Sequence, residues 1–456
     1  MNHLYLSNYL EKTSSEIIIK TIEKYTFIKD KNFDFLPSKS LKGSFIEDIY
    51  KKLNPSYYLK KPVYTIPLYN NSDGLSPFKV IKYGSDNKGE GMRWHYDRKI
   101  TIGKEYNVVV TIFDTSDMVF IYKSNNGTPI FMKLPVLSAE IHNKDTIVHK
   151  VTPQTYGQRI VLVFTYSTDI YRNKYNFKNK VLNSLYYTKR LIYKKKCLII
   201  GGTNGIGGGI VRFLNEIDCN IFILGKTANN SIKGIKNIFC DLSDLNSVFK
   251  AINKIKHMEI VFDEIYNNSG VDFEPIITSD GLNKTFQINV LSHYVILSFL
   301  FNAGCINKKS KILLMSSIRS RFCQKELILE KSMSNIKNNY GATKYILRII
   351  AKFFSDKKGL NILSIHPGIV DTKLMRRSKF KKFLLNKIFN LISVNQSSIY
   401  ILNAFYSKHK WNGEYTEILK DGSQKYYNTT VSNNEINQII NTLEELTKKA
   451  YLKFIN

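Results

Sequence analysis

The pattern of apolar and polar positions changes character once along the chain. Between about residues 63 and 167 it has period two, in short runs such as "NVVVTIF", "MVFIY", "PIFMK" and "RIVLVFTY", with turn residues between them. Such alternation predicts antiparallel strands, a β-sandwich or barrel. Beyond residue 196 the strand-like runs are continuously apolar ("CLIIGG", "NIFILG", "EIYNNSG", "KILLMSS", "NILSIHPG") and alternate with helical stretches. That order predicts a parallel α/β sheet. In the last segment, 432–454, Ile436, Ile439, Ile440, Leu443 and Leu446 recur on one helical face, and Ser432 is positioned to cap it. Residues 1 to about 60 mix short helical patterns with aromatic turns. They are expected to pack on the β region and are assigned no chemistry. The intervening basic, aromatic stretch reads as a linker with one helix. The expected organisation is 1–167, a linker at 168–194, and 195–456.

A chain of 456 residues exceeds one ordinary core, and 43% hydrophobic content is enough to fill two or three. No run of about twenty apolar residues occurs, so no membrane span is expected. The start "MNHLYLSNYL" lacks the regions of a signal peptide. All five cysteines lie at residue 197 or beyond, without a CxxC, as reduced, mostly buried thiols would. Together these predict a cytoplasmic protein, in which the Asn126-Gly127-Thr128 sequon has no role. The net charge of +30 is spread along the chain and matches a lysine-rich codon bias. No nucleic-acid-binding motif accompanies it, so no specific nucleic-acid partner is expected.

Charge and length leave the chemistry open, and local motifs narrow it. "LIIGGTNGIGGGIVRFL" leads from a strand through glycines into a helix. Gly201, Gly205 and Gly207, with Asn204 and Ile206 in the same turn, let the backbone approach a pyrophosphate at a helix N-terminus. "NNSG" follows, with Asn268 and Gly270, and then Asn289 in a helical segment. Ser316 and Ser317 end the next strand. "YGATK" sets Tyr340 and Lys344 one helical turn apart, and "HPGIVDT" adds Pro367 and Thr372. A Tyr-x-x-x-Lys alone means little here, since Tyr25/Lys29 and Tyr57/Lys61 match it equally. The order of the pieces carries the weight. Where the second strand ends, Lys226 replaces the acidic residue that would hold an NAD ribose. A 2′-phosphate suits that cation, so NADP(H) is expected ahead of NAD(H).

In this order the pieces resemble the short-chain dehydrogenase/reductase family over roughly residues 195–456. The long interval from Ser317 to Tyr340 is similar to its retinol-dehydrogenase-type branch. The resemblance implies a Rossmann-type doubly wound parallel sheet and a set of roles. Tyr340 would exchange a proton with the substrate oxygen. A free phenol titrates near ~10, so it needs a lowered pKa, which Lys344 would supply while holding the nicotinamide ribose. Ser317, rather than Ser316, would bond the reacting oxygen. Asn289 would support a proton relay, Thr372 fix the carboxamide, and Asp241 contact the adenine. A homodimer through this domain is a further expectation. Ile200 departs from the family, which usually has threonine there.

The first half holds a second constellation. "RWHYDRK" contains His95 and Asp97, His149 follows in "VHKVTPQTYGQR", and Arg159 lies ten residues after His149. Two imidazoles and a carboxylate can hold one face of Fe(II), with zinc as the rival metal. A guanidinium can grip a carboxylate in bidentate fashion. His142 lacks the downstream arginine at that spacing. This set resembles the 2-oxoglutarate- and Fe(II)-dependent dioxygenases, most closely the prolyl-4-hydroxylase-like branch, over about residues 75–167. The resemblance implies a double-stranded β-helix (jelly roll) with His95, Asp97 and His149 on the metal. Arg159 would bind the far carboxylate of 2-oxoglutarate, Tyr83 would lie beside it, and ascorbate would be an auxiliary reductant.

The expected protein is a bifunctional oxidoreductase that hydroxylates a small-molecule, peptide or glycan substrate and interconverts an alcohol and a carbonyl, as consecutive steps on one molecule. The competing assignment keeps one active dehydrogenase with a non-catalytic oxygenase-like recruitment domain. An anion- or nucleic-acid-binding protein with a vestigial nucleotide fold is the third. The basic segment Lys373–Lys387 reads as a solvated helix in preference to a lid on an anionic substrate.

Overall fold

Alternation in the first half builds two antiparallel sheets, and apolar runs in the second build one mostly parallel sheet. The structure, a computed structural model, describes residues 3–29, 33–53, 55–60, 62–66, 76–84, 91–95, 97, 100, 103–124, 127–144, 146–168, 194–229, 232, 234–272, 276–322, 340–372, 391–407 and 410–455. The linker at 169–193, the basic segment from Lys373, Cys323 and Asn126 lie outside the described residues. The chain divides into two compact units, Met1–Ile192 and Tyr193–Asn456.

In the N-terminal unit the large sheet runs in the order His3–Leu6, Ala139–Asn143, Glu105–Asp114, Arg159–Ser167, Phe78–Tyr83, Asp34–Pro37, Ile28–Lys29. Tyr64–Thr65 also pairs with Arg159–Ser167. The small sheet runs Met92–His95, His149–Val151, Phe120–Lys123, Pro129–Met132. Period two sends alternate residues of the large sheet to opposite cores. Val80, Leu162, Phe164 and Tyr166 face one, with Ile18, Ile22, Ile46 and Ile49 of helices Lys12–Ile22 and Phe45–Lys52. Ile81, Tyr83, Val161 and Val163 face the other, with Phe120, Tyr122 and Val151 of the small sheet. The first sixty residues thus supply a helical cover and the strands at both edges of the large sheet. Their helices are short, and tertiary burial rather than local periodicity holds them.

In the C-terminal unit seven strands run parallel, in the order Lys236–Phe239, Asn220–Gly225, Lys196–Ile200, Glu264–Asn267, Lys311–Met315, Asn361–His366, Asn412–Ile418. Gln424–Tyr427 closes the edge antiparallel. This is a Rossmann-type doubly wound sheet. Helices cover both faces, which is why its strands are apolar without alternation. Leu245–Lys256, Ser292–Asn302, Tyr340–Lys358 and Asn433–Ile455 pack into one core with the strands. The last helix buries Ile436, Ile439, Ile440 and Leu443, and the Glu435 N–H donates to Ser432 Oγ at 3.2 Å. Lys196–Ile200 pairs with Asn220–Gly225 on one side and Glu264–Asn267 on the other. The strand order therefore reverses there, opening a crevice at the strands' C-terminal ends. Cys197, Cys219, Cys240 and Cys305 are free thiols. Among the described residues no helix is long and apolar enough to cross a membrane.

Candidate functional site

In the N-terminal unit, antiparallel pairing sets His95 directly opposite His149, with ring centroids 4.3 Å apart. Asp97, two residues on, brings a carboxylate to the same point. One ligand atom from each of the three lies within 4.8 Å of the others. Asp97 Oδ1 is 3.9 Å from His95 Nε2, and Oδ2 is 3.6 Å from His149 Nε2. Burial pushes His149 down to about 3, so its ring is neutral and keeps a lone pair for a metal. Burial alone would raise Asp97, but the hydrogen bond and charge of His142 hold it well below the usual carboxylate range. The donor set fits a first-row divalent metal.

Arg159 and Tyr83 are register partners on neighbouring strands of the large sheet, both buried. Arg159 Nε is 3.8 Å from Asp114 Oδ2, too far for a hydrogen bond, and has no hydrogen-bond partner among the described residues. Lys133 Nζ already binds that oxygen at 2.7 Å. A buried guanidinium nitrogen left in this state fits an added carboxylate. Burial pushes Tyr83 up to about 12.

In the C-terminal unit a cavity of about 830 Å³ opens at the crevice. Gly201, Asn204, Gly205 and Ile206 line it. Gly201 has φ +81°, and a Cβ there would lie 2.2 Å from Ser269 Oγ. Gly207 sits behind the wall, where a Cβ would lie 2.0 Å from the Gly201 carbonyl oxygen, so only glycine lets helix and strand approach this closely. Asn268 Nδ2 donates to that same carbonyl at 3.0 Å and pins the turn. Lys226 and Asp241 line the cavity together, and Lys226 Nζ is 2.7 Å from Asp241 Oδ2. The cation and the carboxylate, expected to serve the phosphate and the adenine separately, neutralise each other.

Tyr340, Lys344, Ser317, Gly270, Pro367 and Thr372 share the cavity. Ser316 Oγ donates to the Lys344 carbonyl at 2.8 Å and is thereby committed to the helix, leaving Ser317 to reach the Tyr340 phenol. Burial pushes Tyr340 up to about 12, although Ser317 and Arg319 act against it. The direction is opposite to the expected lowering. Lys344 Nζ donates to the Met315 carbonyl at 2.8 Å, and burial drives this ammonium down to about 7. Two cationic side chains lie near the phenol ring: Arg319 Cζ is 5.2 Å and Lys344 Nζ 5.6 Å from the Tyr340 centroid. Asn289 is fully buried behind the wall in a π-helical turn, Gln287–Leu291. Its Oδ1 accepts from the Val271 N–H at 2.8 Å, and its Nδ2 donates to the Val271 carbonyl at 2.8 Å. The extra residue of the π turn aims it at the strand end.

Residues 195–383 match the family model for short chain dehydrogenases. The C-terminal unit is a short-chain dehydrogenase domain. Its relatives include "Short-chain dehydrogenase TIC 32 A, chloroplastic" of Brassica napus, 27% identical over 209 residues, covering 40% of this chain and 65% of the relative. The polyprenol dehydrogenase of Danio rerio is 25% identical over 206 residues, covering 40% and 63%. Retinol dehydrogenase 13 of Mus musculus is 24% identical over 232 residues, covering 45% and 69%. The chain thus spans a little under two thirds of the first of these relatives. Among solved structures, a short chain dehydrogenase family protein from Francisella tularensis covers 49% of this chain and 96% of its own, with 18% identity and TM-score 0.39.

Some residues of these sites carried no readable signal. In the dehydrogenase domain, Arg319 pairs with Asp272 at 3.2 Å, and both line the cavity. An arginine four residues past the strand end looks like any other basic residue in so basic a chain. Gly209, in the same glycine run, packs against the helix Val394–Ser407, where a Cβ would lie 2.2 Å from Ser398 Oγ. In the N-terminal unit, Asn107, Glu140 and His142 reach Asp97 or its partners only through sheet pairing.

Proposed function

We propose that the dehydrogenase domain interconverts an alcohol and a carbonyl using NADP(H), with NAD(H) as the weaker alternative. The observation carrying this is that Tyr340, Ser317 and Lys344 share one cavity with the glycine turn and Lys226. The nicotinamide, when bound, supplies or accepts the hydride. The glycine turn would seat the pyrophosphate, and Lys226, released from Asp241, the 2′-phosphate. Tyr340 would pass its phenolic proton to the substrate oxygen, with Ser317 bonded to the same oxygen. A phenol held near 12 is protonated at neutral pH, the form that gives its proton to a carbonyl oxygen, and alcohol oxidation runs the same transfer in reverse. Full-length protein in which Tyr340→Phe still binds NADPH but oxidises none of it with carbonyl substrates supports this. Undiminished turnover by that variant overturns it.

For the N-terminal unit we propose a jelly-roll 2-oxoglutarate-dependent dioxygenase site. The support is the meeting of His95, Asp97 and His149, with Arg159 buried on the large sheet. Fe(II), when bound, supplies the oxygen chemistry. His95, Asp97 and His149 would hold it on one side, and Arg159 would orient 2-oxoglutarate through its far carboxylate. The two units would then act in sequence, C–H to C–OH and C–OH to C=O, on a small molecule, peptide or glycan. Slow conversion of 2-oxoglutarate to succinate by the full chain, lost in a His95→Ala/His149→Ala variant together with iron, tests the first step. Iron binding unchanged in that variant would leave a dehydrogenase with a recruitment unit. Accumulation of a hydroxylated product by Tyr340→Phe tests the sequence.

A further inference from the structure

The inner face of the large sheet carries a polar row. Register sets His3 opposite His142, His142 opposite Asn107, and Asn107 opposite Thr165. Alternation places Asn107 and Thr165 on the same face as Val109, Val161 and Val163, which pack toward the small sheet. The side chains interlock. Thr165 Oγ1 donates to Asn107 Oδ1 at 2.7 Å, and Asn107 Nδ2 donates to Asp97 Oδ2 at 2.6 Å. His142 Nε2 meets that same Asp97 oxygen at 3.1 Å, and its Nδ1 meets Glu140 Oε1 at 2.7 Å. Glu140 Oε2 is 3.0 Å from His3 Nε2, and the His3 ring stacks on Tyr122 at 3.9 Å. Glu140 and His142 are 0% and 1% exposed.

A run of buried polar groups between two sheets is costly unless every member is bonded. Val109, Val161 and Val163 on the same face show that valines also pack there. The row departs from that chemistry and ends on one oxygen of one carboxylate. Asn107 and His142 both grip Asp97 Oδ2, which also lies 3.6 Å from His149 Nε2, while Oδ1 is left on the side of His95 at 3.9 Å.

We propose that His142 is a positioning residue for the metal site: held by Glu140, and through it by His3, it fixes the Asp97 carboxylate by Oδ2 so that this carboxylate is presented together with His95 and His149. This rests on the metal reading of the N-terminal unit. It also gives a role to the first strand of the chain, since His3 anchors the far end of the row.

Mn(II) is the probe, titrated into the full chain and followed by loss of the free-ion EPR signal. Wild type should bind one Mn(II) per chain. His142→Phe should weaken binding by roughly 10–100-fold, the usual cost of losing a partner behind a ligand. His142→Gln, which keeps an N–H near Nε2, should recover most of the affinity. Glu140→Gln should fall between these, with His3→Ala the mildest. Thermal unfolding without metal separates positioning from folding, and if His142→Phe does not fold, Glu140→Gln and His142→Gln decide. Wild-type affinity in folded His142→Phe and Glu140→Gln overturns the proposal. Binding that is absent in wild type, or insensitive to His95→Ala/His149→Ala, overturns the metal reading itself.

Discussion

Lys344→Met should destroy dehydrogenase activity and, in the nucleotide-free protein, make the C-terminal unit more stable at neutral pH. The ammonium is buried, and burial moves it from 10.5 to about 7. Between about pH 7 and 10.5 the unfolded chain therefore holds a proton that the folded chain has lost, so stability rises with pH across that window. The span of about 3.5 pH units, at about 1.36 kcal/mol each, is roughly 5 kcal/mol. Below about pH 7 both states are protonated and that cost is fully present. Methionine keeps an unbranched stem and has no charge to bury. It forfeits the 2.8 Å hydrogen bond to the Met315 carbonyl, worth about 1–3 kcal/mol. The variant should thus gain roughly 2–4 kcal/mol at about pH 6.5, an advantage gone by about pH 10. The chain has two tryptophans, Trp94 in the N-terminal unit and the fully buried Trp411 in the C-terminal one. Urea unfolding followed by Trp411 fluorescence in a Trp94→Phe background reads the right unit. A difference between variant and parent that stays constant over this pH range would refute the reasoning.

Arg159→Ala should raise the 2-oxoglutarate requirement by roughly 10–100-fold, the loss of a charge-assisted contact, with Mn(II) affinity unchanged. Parallel loss of both, read by succinate formation and EPR, would make Arg159 structural. Lys226→Asp should move cofactor preference toward NAD(H) by about tenfold or more, because Asp241 then meets a second carboxylate instead of its 2.7 Å partner. The ratio of kcat/KM with the two cofactors measures it, and Asp241→Asn should soften the change. Gly209→Ala should destabilise the domain by roughly 1–3 kcal/mol, because its Cβ would meet Ser398 Oγ at 2.2 Å. A Gly209→Ala/Ser398→Ala double variant should recover part of this in the same urea assay, and purely additive losses would argue against the contact.

What the sequence determined by itself was whatever depends on near neighbours along the chain. The glycine turn needs a strand, three glycines and a helix within seventeen residues, and all are contiguous in "LIIGGTNGIGGGIVRFL". Tyr340 and Lys344 share a helical face at spacing four, wherever that helix lies. Period two marked the strands from Phe78 to Ser167, and continuous apolar runs marked the parallel sheet. The edge strand His3–Leu6 and the helices Lys12–Ile22 and Phe45–Lys52 escaped, because short elements take their stability from the sheet they cover. Only tertiary structure decided what each site group experiences. His95 meets His149 because two distant strands pair in one register, and a slip of one residue would turn one of them away. Lys226 finds Asp241 across neighbouring strand ends, and Arg319 joins Lys344 beside the Tyr340 ring, because burial and direction are properties of the packed chain. Asn107 and His142 meet Asp97 from two strands, with Glu140 and then His3 behind His142, and no spacing in the sequence encodes a row that runs perpendicular to the backbone.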